Sequence, residues 1–186
     1  MIAEDALVFG MLEGRPKVIA KRVVYDPQDG FRARPFDDNG STTEELLIIA
    51  SLSEGRALTA EEKPEKVATS LLADGKCVGV IIKCGPQGAL VATAAAQQWI
   101  TPFPSKRVWK IGSGDVFSAA FAHAWLQEGA SILDAAWFAS RTVAEYVGTR
   151  AESFAPECLQ SLRDEAKAAA KKTFTELNAT CTRTAT

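Results

Sequence analysis

The sequence predicts an α/β fold built on a mostly parallel sheet covered on both faces, and three observations carry that expectation. Residues 46–50 (LLIIA) and 78–83 (VGVIIK) are short continuous apolar runs, the pattern of strands buried on both sides. Segments with helical spacing and caps lie between and after them, so strands and helices alternate along the chain. A glycine-flanked loop at residues 111–115 (IGSGD) opens directly into an apolar helix, as loops at the carboxyl ends of parallel strands do.

The elements follow in order. Residues 7–12 and 18–25 read as strands, with a turn at Glu13, Gly14, Arg15 and Pro16 between them. Residues 26–41 (DPQDGFRARPFDDNGS) form a polar loop, and residues 46–50 are the next strand. A helix is expected over residues 62–73, with Pro64 in the first turn, where its missing N–H costs nothing. Asp74-Gly75-Lys76 stops it ahead of the strand at 78–83, and the tight turn CGPQG leads into a hairpin strand at 89–93. A further short strand is expected near 98–101, followed by a loop to Gly114. From Asp115, apolar residues fall at Phe117, Ala120, Phe121, Ala124 and Trp125, the stripe of a helix packed on a sheet, and Gly129 ends it. Ser131 caps a helix to about Val147, with Leu133, Ala136, Trp137, Ser140 and Val143 on its inner face. Pro156 opens a more polar helix to about Phe174. Residues 1–175 are thus expected to form a single α/β domain, and 176–186 a disordered tail.

Composition narrows the function. The 186 residues are 47% hydrophobic and 24% charged, ordinary values for a globular chain. Lys+Arg 21 against Asp+Glu 23 gives a formal charge of -2 with the signs mixed, so the basic stripe of a nucleic-acid binder is absent. No apolar run reaches the length of a membrane span. Acids precede the first apolar run, the reverse of a signal peptide, so a cytoplasmic protein is expected. Cys77, Cys84, Cys158 and Cys181 match no zinc spacing and have one histidine, His123, to help them. Cys77 and Cys84 read as small apolar residues on or beside a buried strand.

The chemistry concentrates at residues 112–115. Glycines at 112 and 114 let successive N–H groups turn into one small volume at a helix start, an arrangement that holds anions. Asp115, in the same first turn, is expected to be ionised near neutral pH, because the positive end of the helix dipole favours its carboxylate. A carboxylate beside an anion hole can accept a hydroxyl proton while the hole steadies a phosphoryl group. Spacing alone leaves a second reading open, an ordinary helix N-cap. The G-K-[ST] of a Walker loop is missing.

IGSGDVFSAAFAHAW resembles the C-terminal signature of the ribokinase-like (PfkB-type) carbohydrate kinases, written DTxGAGDxF. Three further segments match in order. VVYDPQ (23–28) resembles the family's strand ending in Asp-Pro-Asn, and LLIIASLSEGRALTA (46–60) its strand with the N-x-x-E stretch. VIIKCGPQGALV (80–91) resembles the strand, turn and hairpin of the nucleotide site. The resemblance covers roughly residues 5–155. It implies a ribokinase-like three-layer α/β/α sandwich and an ATP-dependent phosphotransferase acting on a hydroxyl of a sugar or nucleoside. It also implies that only the C-terminal nucleotide-binding and catalytic portion is present, the N-terminal portion and lid being missing.

By the same resemblance Asp115 is the catalytic base and Gly112, Ser113 and Gly114 form the anion hole. Lys83, Gly85 and Gly88 border the nucleotide, and Glu54 and Ser51 act on Mg2+ through water. ATP and Mg2+ are the implied cofactors, with a second copy or a partner chain covering the incomplete sheet. The family's Asp-Thr before the loop is Trp109-Lys110 here, so its monovalent-cation site does not carry over. The asparagine of N-x-x-E is Ser51. The alternative reading is a truncated, non-catalytic module that binds nucleotide or serves as a structural partner.

Overall fold

A computed structural model describes residues 1–10, 14–105, 107 and 109–183, with side chains through Thr173. It divides into two units, residues 1–102 with 126–128, and residues 103–125 with 129–186.

The first unit is a six-stranded sheet in sequence order: β1 (Ile2–Phe9), β2 (Ile19–Asp26), β3 (Thr42–Ser51), β4 (Cys77–Lys83), β5 (Ala89–Ala92) and β6 (Gln97–Ile100). β1 to β4 are parallel, while β5 and β6 return antiparallel. The expected mostly parallel sheet is therefore present. Every residue from Leu46 to Ala50 is buried, which is why that run reads as continuously apolar. Alternate strand residues Val23, Tyr25, Leu46, Ile48, Val80 and Ile82 form one core with Val67 and Ala68 of α2 (Pro64–Leu72). Among the described residues no helix is long and apolar enough to cross a membrane.

Three departures from the sequence expectation have physical causes. β1 starts at Ile2, five residues earlier than expected. Glu4 and Asp5 sit within this edge strand because Lys21 and Arg22 of β2 pair with them, the Arg22–Asp5 bond at 2.8 Å. β1 and β2 run parallel, from Ile2↔Ile19 to Phe9↔Asp26, so they are not the two arms of a tight turn. Asn39 holds the stretch that enters β2 by donating to the carbonyls of Arg15 and Pro16, at 3.1 Å each. The expected strand end at Leu12 and turn residue Glu13 lie outside the described residues. Finally, α1 (Leu52–Thr59) precedes α2 where no helix was expected. Its start is a capping box, Ser51-x-x-Glu54, which is a readable sequence signal.

The second unit holds α3 (Ser113–Ala122), continued by a π-helical turn His123–Gln127 whose last residues group with the first unit, then α4 (Ile132–Thr149) and α5 (Pro156–Arg183). Ser131 caps α4 as expected, its Oγ accepting from the Asp134 N–H at 3.1 Å. The buried face of α4 is broader than the expected stripe. It includes Ala135, Ala136, Trp137, Phe138, Ala139 and Thr142, while Leu133, Ser140 and Val143 are half-buried. α5 continues past Phe174 to Arg183.

Candidate active site

Two groups of predicted residues take shape, one in each unit. In the second unit, Gly112 precedes α3 with φ 77°, in the left-handed region. A Cβ there would lie 2.7 Å from the Tyr146 hydroxyl, which itself donates to the Ile111 carbonyl at 3.0 Å. Glycine is thus required on two counts, backbone conformation and the approach of α4. The Gly112 carbonyl accepts the first helical bond, from Val116 N–H at 2.9 Å. Gly114 and Asp115 follow in the first turn, where backbone N–H groups have no acceptor within the helix. Asp115 is exposed. Ser113 folds back on its own turn: its hydroxyl donates to the Lys110 carbonyl at 2.8 Å, and its N–H approaches the same oxygen at 3.3 Å. Trp109, in place of the family's aspartate, lies under the Arg150 guanidinium, 3.7 Å from the ring centroid.

In the first unit, the carboxyl ends of the parallel strands gather Asp26, Ser51, Glu54 and Lys83. Ser51 and Lys83 are register partners on β3 and β4. Ser51 caps α1: its Oγ accepts from Glu54 N–H at 3.2 Å, and Glu54 Oε2 accepts from Ser51 N–H at 2.6 Å. Lys83 reaches across the end of β3 to Asp26, Nζ to Oδ2 at 2.8 Å. Asp26 is fully buried and the Lys83 side chain is 20% exposed. After Lys83 the chain turns through Gly85–Gln87. Gly88 has φ 94°, and a Cβ on it would fall 2.1 Å from the Ile100 carbonyl oxygen. That glycine is required by the β5–β6 hairpin whatever else it does.

Sequence reasoning missed Asp26 as the partner of Lys83. The available signal was an acid closing the buried run VVY ahead of a proline. Among the described residues no group of three or more His, Cys, Asp or Glu side chains could hold a metal. Glu54 offers one carboxylate already engaged at Oε2, which fits an ion ligated mainly by phosphate oxygens and water, the habit of Mg2+, and not a cage built by the protein. Cys77, Cys84 and Cys158 are free thiols. Burial pushes the Cys77 thiol up to about 12 and raises Cys84 as well, as expected of packing residues and not of nucleophiles.

Comparison with known proteins adds lineage to this geometry. The sequence profile of the pfkB family carbohydrate kinases matches residues 42–157. The 5-dehydro-2-deoxygluconokinase of Clostridium beijerinckii is 33% identical over 86 residues, 46% of this chain and 25% of the relative. Escherichia coli phosphofructokinase-2 in complex with fructose-6-phosphate superposes with TM-score 0.57 at 20% identity, covering 81% of this chain and 47% of that one. Vibrio cholerae fructokinase with fructose, ADP and calcium ion gives TM-score 0.57 at 21% identity, over 77% and 50%. The chain thus spans about half the length of these solved structures and a quarter of the curated relative. At such identities the structural likeness is one of fold.

Proposed function

Because the chain belongs to the pfkB family of carbohydrate kinases, we propose that it serves ATP-dependent phosphoryl transfer to a hydroxyl of a sugar or nucleoside. The observation that carries this reading is the start of α3, where left-handed Gly112 and the exposed carboxylate of Asp115 share one turn. In the reaction the acceptor oxygen attacks the γ-phosphorus, and the bond to the β–γ bridging oxygen breaks. Asp115 takes the acceptor's proton as general base. The first-turn amides around Gly114 and the positive end of the α3 dipole offset charge on the phosphoryl oxygens. Ser113 contributes by shaping the turn, since its own hydroxyl and N–H face Lys110. In the first unit, Lys83 and the Gly85–Gly88 turn would border the nucleotide, and Glu54, beside Ser51, would act on Mg2+ through water, the ion supplying charge that offsets the phosphates. Proteins of similar fold support the ligand classes. A Vibrio cholerae fructokinase holds fructose and ADP, and a Burkholderia thailandensis nucleoside kinase holds inosine.

The test is a coupled assay over a panel of sugars and nucleosides, with calorimetry of Mg-ATP alongside. Asp115→Asn is expected to lower turnover by roughly 10²–10⁴-fold with little loss of ATP affinity. Turnover unchanged in that variant removes Asp115 from the base role. Nucleotide binding with no turnover on any acceptor, by the unmodified chain, would favour the non-catalytic partner reading.

A further inference from the structure

The loop that enters the α3 turn is held from outside by the last turn of α4, and the residues that hold it take no part in the chemistry above. Lys110 and Ile111 are exposed, Ile111 at 72%, so burial does little to fix them. We propose that Arg150, stacked on Trp109, is a positioning residue that keeps the backbone of Gly112 to Asp115 in the form that receives a phosphoryl group. This role rests on the kinase reading of the α3 turn and adds to it a residue from another helix.

The last turn of α4 meets the loop at several points. The Tyr146 hydroxyl donates to the Ile111 carbonyl at 3.0 Å and stands 2.7 Å from where a Cβ on Gly112 would fall. The Arg150 guanidinium lies 3.7 Å from the centroid of the Trp109 ring, a cation–π stack. Between these two residues Gly148 faces Ser105, whose Oγ would lie 3.5 Å from an added Cβ. Tyr146 and Arg150 belong to one frame, since the Arg150 N–H closes α4 on the Tyr146 carbonyl at 2.7 Å. A single hydrogen bond at Ile111 leaves the loop free to pivot. A second attachment at Trp109, two residues earlier, restrains that pivot.

Arg150 occupies its place at a conformational cost. Its φ of 58° and ψ of 31° lie in the left-handed region, where glycine closes helices with no steric penalty. A larger residue held there needs compensation from its surroundings, and the flat stack of a guanidinium on an indole supplies it.

The restraint passes into the turn through its own bonds. Ser113 bonds back to the Lys110 carbonyl through its hydroxyl, at 2.8 Å, and its N–H, at 3.3 Å. The Gly112 carbonyl accepts from Val116 N–H at 2.9 Å. Moving Lys110 or Ile111 therefore moves these bonds and re-aims the first-turn amides. Stabilising charge on a transferring phosphoryl group requires donors already in place, so the loss falls on turnover more than on nucleotide binding.

Backbone strain and stacking act in opposite directions, and Arg150→Gly separates them. In the full chain this variant should keep the parent's urea midpoint, relief of strain offsetting the freedom that glycine adds to the unfolded state. Hydrogen exchange at the Ser113 and Val116 amides should speed roughly two- to fivefold, the weight of one cation–π contact at an exposed site. Exchange in β3 and β4 should match the parent. Turnover should fall by a similar factor, with Mg-ATP affinity by calorimetry changed by less than about twofold. Arg150→Lys keeps a cation over the ring and should recover part of both losses. Arg150→Gly/Trp109→Leu should be no worse than Arg150→Gly alone, as two residues acting through one contact require. Unchanged exchange at Ser113 and Val116 in Arg150→Gly overturns the proposal, whether or not the chain turns over. So does faster exchange with unaltered turnover in that variant, or a rise shared by β3 and β4 with a falling midpoint, which marks a structural residue only. If exchange and turnover respond to Arg150→Gly as expected while Asp115→Asn leaves turnover unchanged, Arg150 keeps its role and Asp115 loses the base role.

Discussion

At the scale of single residues, the Lys83–Asp26 pair and Gly112 impose the sharpest constraints. A buried carboxylate with an ammonium 2.8 Å away is stable only as a pair, because either charge left alone keeps the desolvation penalty without the attraction. Asp26→Asn is therefore expected to destabilise the first unit by about 2–3 kcal/mol, below the full buried-pair cost because Lys83 can reach water. Adding Lys83→Met should recover much of that loss. Urea unfolding decides it, and a single variant as stable as the parent would show the pair to be dispensable. Gly112→Ala meets two penalties, a left-handed backbone and a Cβ 2.7 Å from the Tyr146 hydroxyl. A destabilisation of about 1–3 kcal/mol follows. Gly112→Ala/Tyr146→Phe tests the division, since removing the hydroxyl relieves the clash but not the backbone strain. If the double variant remains as unstable as the single one, the backbone accounts for all of the loss.

At the scale of elements, α1 shows how a functional signature and a structural one can occupy the same residues. Ser51 and Glu54 form a complete capping box, so Ser51→Ala should cost about 1 kcal/mol of stability. Glutamine serves the box as glutamate does, and Glu54→Gln should leave the urea midpoint within about 0.5 kcal/mol of the parent. If Glu54 also meets Mg2+, that same variant requires more Mg2+ for half-maximal turnover; an unshifted Mg2+ requirement would reduce Glu54 to a cap. The centre of the sheet was legible because Leu46–Ala50 of β3 and Val80–Ile82 of β4 are apolar on both faces and the turns carry Gly, Pro and Asp. The first half of β1 was not, since Glu4 and Asp5 become strand residues only through Lys21 and Arg22 on a neighbour 17 residues away. The parallel course of β1 and β2 was hidden for a related reason: the bonds that hold the stretch entering β2 come from Asn39, far along the chain. The loop at 112–115 was legible because glycine spacing and helix patterning are local.

At the scale of the whole molecule, buried ionisable groups set the behaviour toward alkali. Burial pushes Cys77 up to about 12 from 9.0 and raises Cys84 and Tyr25 from their ordinary values. Each of these groups is neutral when protonated and is packed in that form. In the unfolded chain a Cys77 thiol begins to ionise near pH 9, whereas in the folded chain it holds its proton until about 12. The unfolded state therefore binds fewer protons across that window, and stability falls as pH rises through it. The stabilisation is fully present below pH 9 and disappears by about pH 12. The slope from one such thiol cannot exceed about 1.4 kcal/mol per pH unit, and the partial exposure of Cys77 reduces it. Urea midpoints measured from pH 8 to 11 should fall steadily for the parent chain and less steeply for Cys77→Ala. Equal slopes would mean that ionisation of Cys77 is not what alkali exploits, leaving Tyr25 and Cys84 to account for the fall. The same burial should make Cys77 slow to react with a thiol reagent at pH 8 until urea opens the sheet. The two measurements thus read one property, the proton held at the start of β4, from its thermodynamic and its kinetic side.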